Sequence, residues 1–332
     1  MSHQDVDWQP GTTLDALKQR AALMSRLRCF FAEKDVLEVE TPLLSAAGTT
    51  DPQIHSFETR YEGPGAAQGR PLYLATSPEF AMKRLLAAGS GPIYQICKAF
   101  RQGEAGRLHN PEFTLLEWYR PGFDHFQLMD EVEALVIELA DGRLPDVSAK
   151  RMTYAELFQQ HLGLDPHTAS VETLAQCAAG FPALAGISGL DHDGWLDLLM
   201  SHVIQPRLGQ GCLTFVYHYP ASQAALARIS QSTADVPAIA ERFELFYQGV
   251  ELANGFHELT DAREQRARFE QDLSQRRVQG LPLIPMDERL LAALGEGMPP
   301  CAGVALGLDR LLLVFNSQTR LSDVISFPFV RA

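Results

Sequence analysis

The chain has 332 residues, 46% of them hydrophobic and 21% charged, the composition of a folded, enzyme-sized body and not of a disordered or fibrous one. Its 41 acidic side chains outnumber 28 basic ones for a formal net charge of −13, which excludes a surface built to hold long stretches of phosphate backbone. The five cysteines, Cys29, Cys97, Cys177, Cys212 and Cys301, include no C-x-x-C pair, so neither disulfides nor a zinc site is expected. With no signal pattern at the start and no apolar run of ~18 residues, the expected location is cytoplasmic.

Residues 1–13 read as a tail. Leu14, Leu17, Ala21, Met24, Leu27 and Phe31 then recur every three or four positions and predict a long helix with one buried stripe. Alternation in Val36–Glu40 predicts a strand stopped by Pro42. Ala46 to Gly69, rich in Gly, Pro and small residues, reads as irregular loop with short strands before a strand at 71–74. Ser77 is expected to cap a helix with Pro78 at its first position. Ile93–Phe100 and Phe113–Tyr119 predict an antiparallel pair joined by the polar loop 101–110, which is long for a hairpin and therefore a candidate functional loop. Asp124 with Gln127 forms a capping-box pattern ahead of the apolar positions Leu128, Val132, Leu135, Val136 and Leu139.

Residues 142 to about 205 are small and punctuated by Ala, Gly and Pro, and read as a helical insertion. Beyond it, 213–219 and 243–252 predict strands, and Asp261 with Glu264 caps a polar helix reaching Val278. A strand at 303–307 leads into an apolar helix ending at Phe315. Strands and helices are mixed without regular βαβ alternation, which predicts an α+β fold, an antiparallel sheet flanked by helices.

Three segments carry charge where a buried strand should be apolar, the kind of conflict that functional sites produce. In Phe100–Arg120, Arg101 faces a loop holding Glu104, Arg107 and His109, and Phe113, Glu117 and Tyr119 alternate onto one strand face. A cation, an aromatic platform and a carboxylate suit a phosphate, a nucleobase and an ammonium group; a surface hairpin with screened ion pairs is the plainer alternative. In Phe243–Gln265, Glu244, Glu251 and Glu258 stand seven apart, a spacing that switches faces on a regular strand and needs a turn or bulge, expected at Asn254-Gly255. Paired carboxylates without His or Cys partners suit Mg²⁺, which completes its shell with nucleotide phosphates. In Gly303–Leu313, small residues at Gly303, Ala305 and Gly307 precede Asp309-Arg310. No G-x-x-x-x-G-K-[ST] loop occurs, so ATP chemistry would need another scaffold.

Together these segments resemble the three motifs of class II aminoacyl-tRNA synthetases, and specifically the catalytic core of lysyl-tRNA synthetases. The first helix through VETP (ending at Pro42) resembles the dimer-forming first motif, Phe100–Tyr119 the second and Gly303–Arg310 the third. HNPEFT (109–114) and ELANGFHEL (251–259) are the most specific matches. Such synthetases carry an N-terminal anticodon-binding module of roughly 100 residues, and so few residues precede the first helix that none is expected here. EWYRP (117–121) and YPASQAALA (219–227) resemble the synthetase paralogues that attach (R)-β-lysine to elongation factor P.

The resemblance implies one catalytic domain over 14–332 that activates lysine or β-lysine with ATP and Mg²⁺ as an adenylate and transfers it to a lysine of elongation factor P. A homodimer is implied, and neither a membrane nor tRNA is an expected partner. It leaves two alternatives: a truncated lysyl-tRNA synthetase, or a catalytically retired nucleotide-binding paralogue. The implied catalytic residues are Arg101 and Arg310; with Glu104, His109, Asn110, Phe113, Glu244 and Glu251 they make the ATP set, in which Glu244 and Glu251 hold the metal. Glu79, Glu117, Tyr119, Asn254, Phe256, Glu258 and Ala305 make the substrate set. Two departures stand out. Glu104 comes one position later than in the family's R-x-E order. Ala305 replaces the middle glycine of the third-motif strand, adding a methyl group to the implied amino-acid pocket.

Overall fold

The computed structural model describes residues 8–144, 149–232 and 237–332; most of the expected N-terminal tail, residues 1–7, lies outside them. In chain order the elements are α1 (Leu14–Ala32), β1 (Leu37–Glu38), β2 (Leu44–Ser45), β3 (Glu58–Gly63), β4 (Ala66–Leu74), α2 (Glu79–Ala87), β5 (Ile93–Phe100), β6 (Glu112–Pro121), α3 (His125–Ala140), β7 (Lys150–Thr153), α4 (Tyr154–Leu162), α5 (Val171–Ala179) and α6 (His192–Leu199). They continue with β8 (Thr214–Pro220), β9 (Ile239–Tyr247), β10 (Val250–His257), α7 (Ala262–Val278), α8 (Glu288–Gly297), β11 (Cys301–Gly307) and α9 (Leu308–Phe315). The chain forms two compact units. The first holds residues through Gly122, Thr260–Pro300 and Ala305–Ala332, and the second Phe123–Leu259 and Cys301–Val304.

In the first unit, α1 starts at Thr13, whose Oγ accepts from Ala16 N, a side-chain cap for an otherwise orphaned amide. The helix lies where the periodicity puts it, but its buried stripe is Leu23, Leu27, Phe30 and Phe31, while Leu14 is exposed. Phe31 stacks on Tyr94 with ring centroids 4.3 Å apart and meets Trp118 edge-on, locking α1 against the β5–β6 pair. The strand expected over Val36–Glu40 is only the two-residue β1, paired parallel to β5. Strands β5 and β6 run antiparallel from Ile93↔Tyr119 to Phe100↔Glu112. Ser77 Oγ accepts from Glu79 N at 3.2 Å, so α2 begins one residue later than expected, with Pro78 as its cap.

The stretch expected as irregular loop with short strands contains β3 and the first four residues of β4; the two strands form a small antiparallel sheet with β2. Its loop is fixed by a buried cation: Arg276 of α7 donates to the carbonyls of Thr50 (2.8 Å), Asp51 (2.8 Å), Ile54 (2.9 Å) and Pro282 (3.1 Å). Helix α7 is capped by Asp261 as expected.

In the second unit, Asp124 and Gln127 close the expected capping box of α3. Residues 145–148 of the expected insertion lie outside the described residues. The remainder is mainly helical and packs Tyr154, Phe158, Leu174, Trp195 and Leu199 with Val216, Tyr219 and Phe246 into a core. It is not wholly helical, because β7 pairs parallel with β8, Lys150↔Thr214 through Thr153↔Tyr217. A parallel pair needs a crossover, and α4 to α6 supply it. The strand expected over 243–252 is a hairpin: Gln248 (φ 49°) and Gly249 (φ 72°) turn β9 into β10, with Tyr247 opposite Val250. Two central residues at positive φ make the type I′ turn that matches strand twist. The fold is α+β as expected, but its pairing is mixed, since β1–β5 and β7–β8 are parallel. Among the described residues no helix is long and apolar enough to cross a membrane.

Candidate active site

The β5–β6 hairpin of the first unit organises the second-motif residues. Register places Phe113 opposite Ala99, Leu115 opposite Cys97, Glu117 opposite Gln95 and Tyr119 opposite Ile93. Strand alternation puts Phe113, Glu117 and Tyr119 on one face. Tyr119 Oη donates to Glu117 Oε1 at 2.7 Å, and both side chains are buried. Arg101 leaves β5 with its guanidinium 5.2 Å from the Phe113 ring centroid and 3.6 Å from Glu104 Oε1. The late position of Glu104 therefore still brings its carboxylate to Arg101.

Asn110 is buried and occupied by backbone: its Nδ2 donates to Glu112 O at 2.5 Å, and its Oδ1 accepts from Phe329 N at 2.9 Å. It holds the end of the loop in place. At the start of α9, Arg310 donates to His109 Nε2 at 2.9 Å, joining the third motif to the loop of the second. Ala305 is half-buried on β11. Glu79, at the first turn of α2, is paired with the buried Lys83, whose Nζ lies 2.6 Å from Glu79 Oε1. The carboxylate expected to meet a substrate ammonium thus already has an ammonium partner in the protein.

The second unit carries the other carboxylates. Register places Asn254 opposite Glu244 and Phe256 opposite Arg242, while Glu251 lies opposite Phe246; the shift between Glu251 and Ala253 leaves Leu252 as a bulge. A bulge adds one residue and changes which side chains share a face, so Glu244, Glu251, Asn254 and Phe256 stand together. Convergence comes from the turn at Gln248-Gly249 and this bulge, not from Asn254-Gly255, which lies inside β10. Gly255 has a packing reason to be glycine: a Cβ there would stand 2.4 Å from Phe243 Cζ. Glu258, just beyond β10, is buried and donates its backbone N–H to Cys301 O.

Burial raises the Glu244 carboxyl above the usual range; Arg242 opposes the shift and the charge of Glu251 adds to it. Two carboxylates close enough to disturb each other fit a divalent cation, which relieves their repulsion. Sequence reasoning missed Arg242. It pairs with Glu244, donates to Asn254 Oδ1 at 3.3 Å and lies 4.4 Å from the Tyr219 ring centroid. Its i, i+2 spacing to Glu244 on a strand was the available signal. Asp309 was passed over beside Arg310: it is buried, accepts from Thr114 N at 2.7 Å and pairs with Arg20 of α1, tying the first, second and third motif segments of the first unit together.

The chain belongs to the class II tRNA synthetases of the D, K and N type, whose family model matches residues 2–331. It therefore carries the class II catalytic fold that the three motif segments suggested. Among its relatives, the elongation factor P--(R)-beta-lysine ligase of Salmonella arizonae is 51% identical over 331 residues, 99% of both chains. The ligase of the same name from Pseudoalteromonas translucida is 52% identical over 327 residues, 98% of both chains.

Proposed function

We propose that the protein is an ATP-dependent ligase that activates (R)-β-lysine as its adenylate and transfers the acyl group to a lysine side chain of elongation factor P. The observation that carries this reading is the correspondence with ligases of that name along essentially the whole of both chains, at 51–52% identity. In the first half-reaction the lysine carboxylate attacks the α-phosphorus of ATP and pyrophosphate leaves. In the second, the amine of the acceptor lysine attacks the acyl carbon and AMP leaves. No enzyme nucleophile is required, so positioning and charge neutralisation supply the catalysis.

Arg101 holds the α-phosphate and the substrate carboxylate, with Glu104 fixing its guanidinium. Phe113 and Arg310 cover the two faces of the adenine, Arg310 also meets the γ-phosphate, and Asn110 and His109 shape the loop over the phosphates. Glu244 and Glu251 would hold Mg²⁺, which when bound neutralises phosphate charge. Glu117, oriented by Tyr119, and Glu258 receive the substrate ε-ammonium, while Asn254 and Phe256 bind the carboxylate end and line the pocket. Glu79 receives the second ammonium, with Lys83 holding its carboxylate in place. The methyl group of Ala305 narrows the space that α-lysine needs. One methylene more or less in a fitted pocket changes selectivity by about 10- to 200-fold.

We also propose a cytoplasmic homodimer formed through the first motif; the exposed Leu14 of α1 and Leu37 of β1 supply apolar surface for it. Light scattering at the mass of a monomer would sink that part. The test of function is intact-mass measurement of elongation factor P after incubation with ATP and (R)-β-lysine, with tRNA in a parallel tube. A mass gain of one lysyl group on the protein is expected. Charging of tRNA with no gain on the protein would replace this reading with a truncated lysyl-tRNA synthetase, and no ATP–pyrophosphate exchange with any lysine isomer would replace it with a retired paralogue.

A further inference from the structure

The face of the β9–β10 hairpin opposite Glu244 and Asn254 carries a second cluster, to which neither the motifs nor the proposed reaction gives a role. Register continues from Phe256↔Arg242 to set His257, the last residue of β10, across from Glu241 of β9. His257 Nδ1 lies 2.5 Å from Glu241 Oε2. His125, at the first position of α3, completes the group: one ligand atom from each of His125, Glu241 and His257 lies within 4.8 Å of the others. All three belong to the second unit.

Two further observations point to a ligand. His125 is only 4% exposed, yet both its ring nitrogens lack a hydrogen-bond partner among the described residues. Leaving buried polar atoms unsatisfied costs about 1–3 kcal/mol, so something should occupy that space. Next to it, His218 is the bulge residue of β8, where the register shifts between Tyr217 and Tyr219. It sits at φ 59°, a left-handed conformation that a non-glycine residue adopts at a cost. Its ring centroid is 5.4 Å from that of His125. Bulges re-aim side chains, and this one brings a third imidazole to the cluster.

We propose that His125, Glu241 and His257 bind a zinc ion, with His218 beside the fourth coordination position. Two imidazoles and a carboxylate from separate elements form a donor set that zinc takes up readily, with an open position left for water or a further imidazole. Tetrahedral ligands at 2.0–2.1 Å stand ~3.3 Å apart, so closure needs only a modest rotation of side chains already within 4.8 Å of one another. The ion would sit between His257 Nδ1 and Glu241 Oε2, now in direct contact. The other Glu241 oxygen keeps Arg228, whose Nε is 3.6 Å away. A metal here staples the start of α3 to β9 and β10 and serves architecture, apart from the Mg²⁺ carboxylates on the other face.

The test is titration of the chelator-treated full chain with Zn²⁺ against a chromophoric competitor. One tight equivalent per chain is expected. His125→Gln and His257→Gln should each weaken it at least ~100-fold, beyond the 10–100-fold typical of losing only an outer-shell partner, while His192→Gln should leave it unchanged. X-ray absorption on the wild-type chain loaded with one equivalent keeps the proposal testable should either variant fold poorly. A nitrogen and oxygen shell at about 2.0–2.1 Å with imidazole scattering is expected; a sulfur shell near ~2.3 Å would move the metal to the cysteines and overturn it. Absence of a tight equivalent would also overturn it, leaving His125 as a buried neutral histidine hydrogen-bonded to water.

Discussion

Replacing Glu117 with glutamine changes one carboxylate oxygen for nitrogen in a side chain that is 2% exposed, so the packing of β6 is kept while the charge is lost. The amide oxygen can still accept from Tyr119 Oη, now 2.7 Å from Glu117 Oε1. If Glu117 is the counter-charge of the substrate ammonium, the variant leaves that cation buried beside a neutral dipole. Removing one partner of a buried ion pair costs about 3–5 kcal/mol. At about 1.4 kcal/mol per factor of ten, that corresponds to roughly 150- to 4,000-fold in kcat/KM for lysine. The assay is lysine-dependent ATP–pyrophosphate exchange, with nucleotide affinity measured separately by fluorescence competition. Exchange should fall by that factor with nucleotide binding retained, and Glu117→Ala should abolish it. A lysine kcat/KM within about threefold of wild type would refute the pocket assignment.

Ala305→Gly should raise activity with α-lysine relative to (R)-β-lysine by up to the 10- to 200-fold scale of methyl discrimination; an unchanged ratio of kcat/KM values would discard that explanation. Arg276→Met leaves four backbone carbonyls of the first unit without the buried guanidinium that joins them, and should cost about 3–5 kcal/mol in urea denaturation; less than ~1 kcal/mol would mean that water replaces it freely. Asp272 accepts from Thr50 Oγ1 at 2.7 Å, and its pKa is pushed up to about 6, chiefly by burial and further by Asp51, against Thr50, Arg276 and Arg268. Its folded form therefore holds a proton that the unfolded chain releases near pH 4, so its desolvation penalty is absent below about pH 4 and fully developed above about pH 6. Asp272→Asn should gain stability relative to wild type as pH rises through that window, read as a diverging urea midpoint; a constant difference from pH 4 to 7 would contradict it.

Local signals located much of this molecule. Asp124 with Gln127 and Asp261 with Glu264 marked the starts of α3 and α7 because a capping side chain acts on amides two or three residues away. Likewise Arg101, Phe113, Glu117 and Tyr119 could be grouped because one antiparallel hairpin and a two-residue alternation bring them together. The 243–252 stretch failed for the complementary reason. Its apolar alternation continues through Gln248-Gly249, and only the positive φ of both residues turns it into a hairpin. The bulge at Leu252, which brings Asn254 and Phe256 onto the face of Glu244 and Glu251, leaves no mark in a residue-type pattern. Strand β7 was read as part of a helical insertion because four residues are too few for periodicity to appear, and its partner β8 lies beyond three helices.

Charge pairing over long distances in the chain was the least legible layer, and it decides what the motif residues are free to do. Lys83, one helical turn after Glu79, is buried against its carboxylate, so a substrate ammonium at Glu79 would share that carboxylate with a cation of the protein. Asp309 gave no sign that it would receive both Arg20 and the Thr114 amide. The His125, Glu241 and His257 group takes this furthest, because a count of cysteine spacings looks for metal ligands that are neighbours in sequence. Here one ligand opens a helix and the other two face each other across a hairpin. A donor set assembled by register is invisible until the register is known. For that reason a cysteine pattern that disfavours zinc does not bear on the donors that His125, Glu241 and His257 bring together in the second unit.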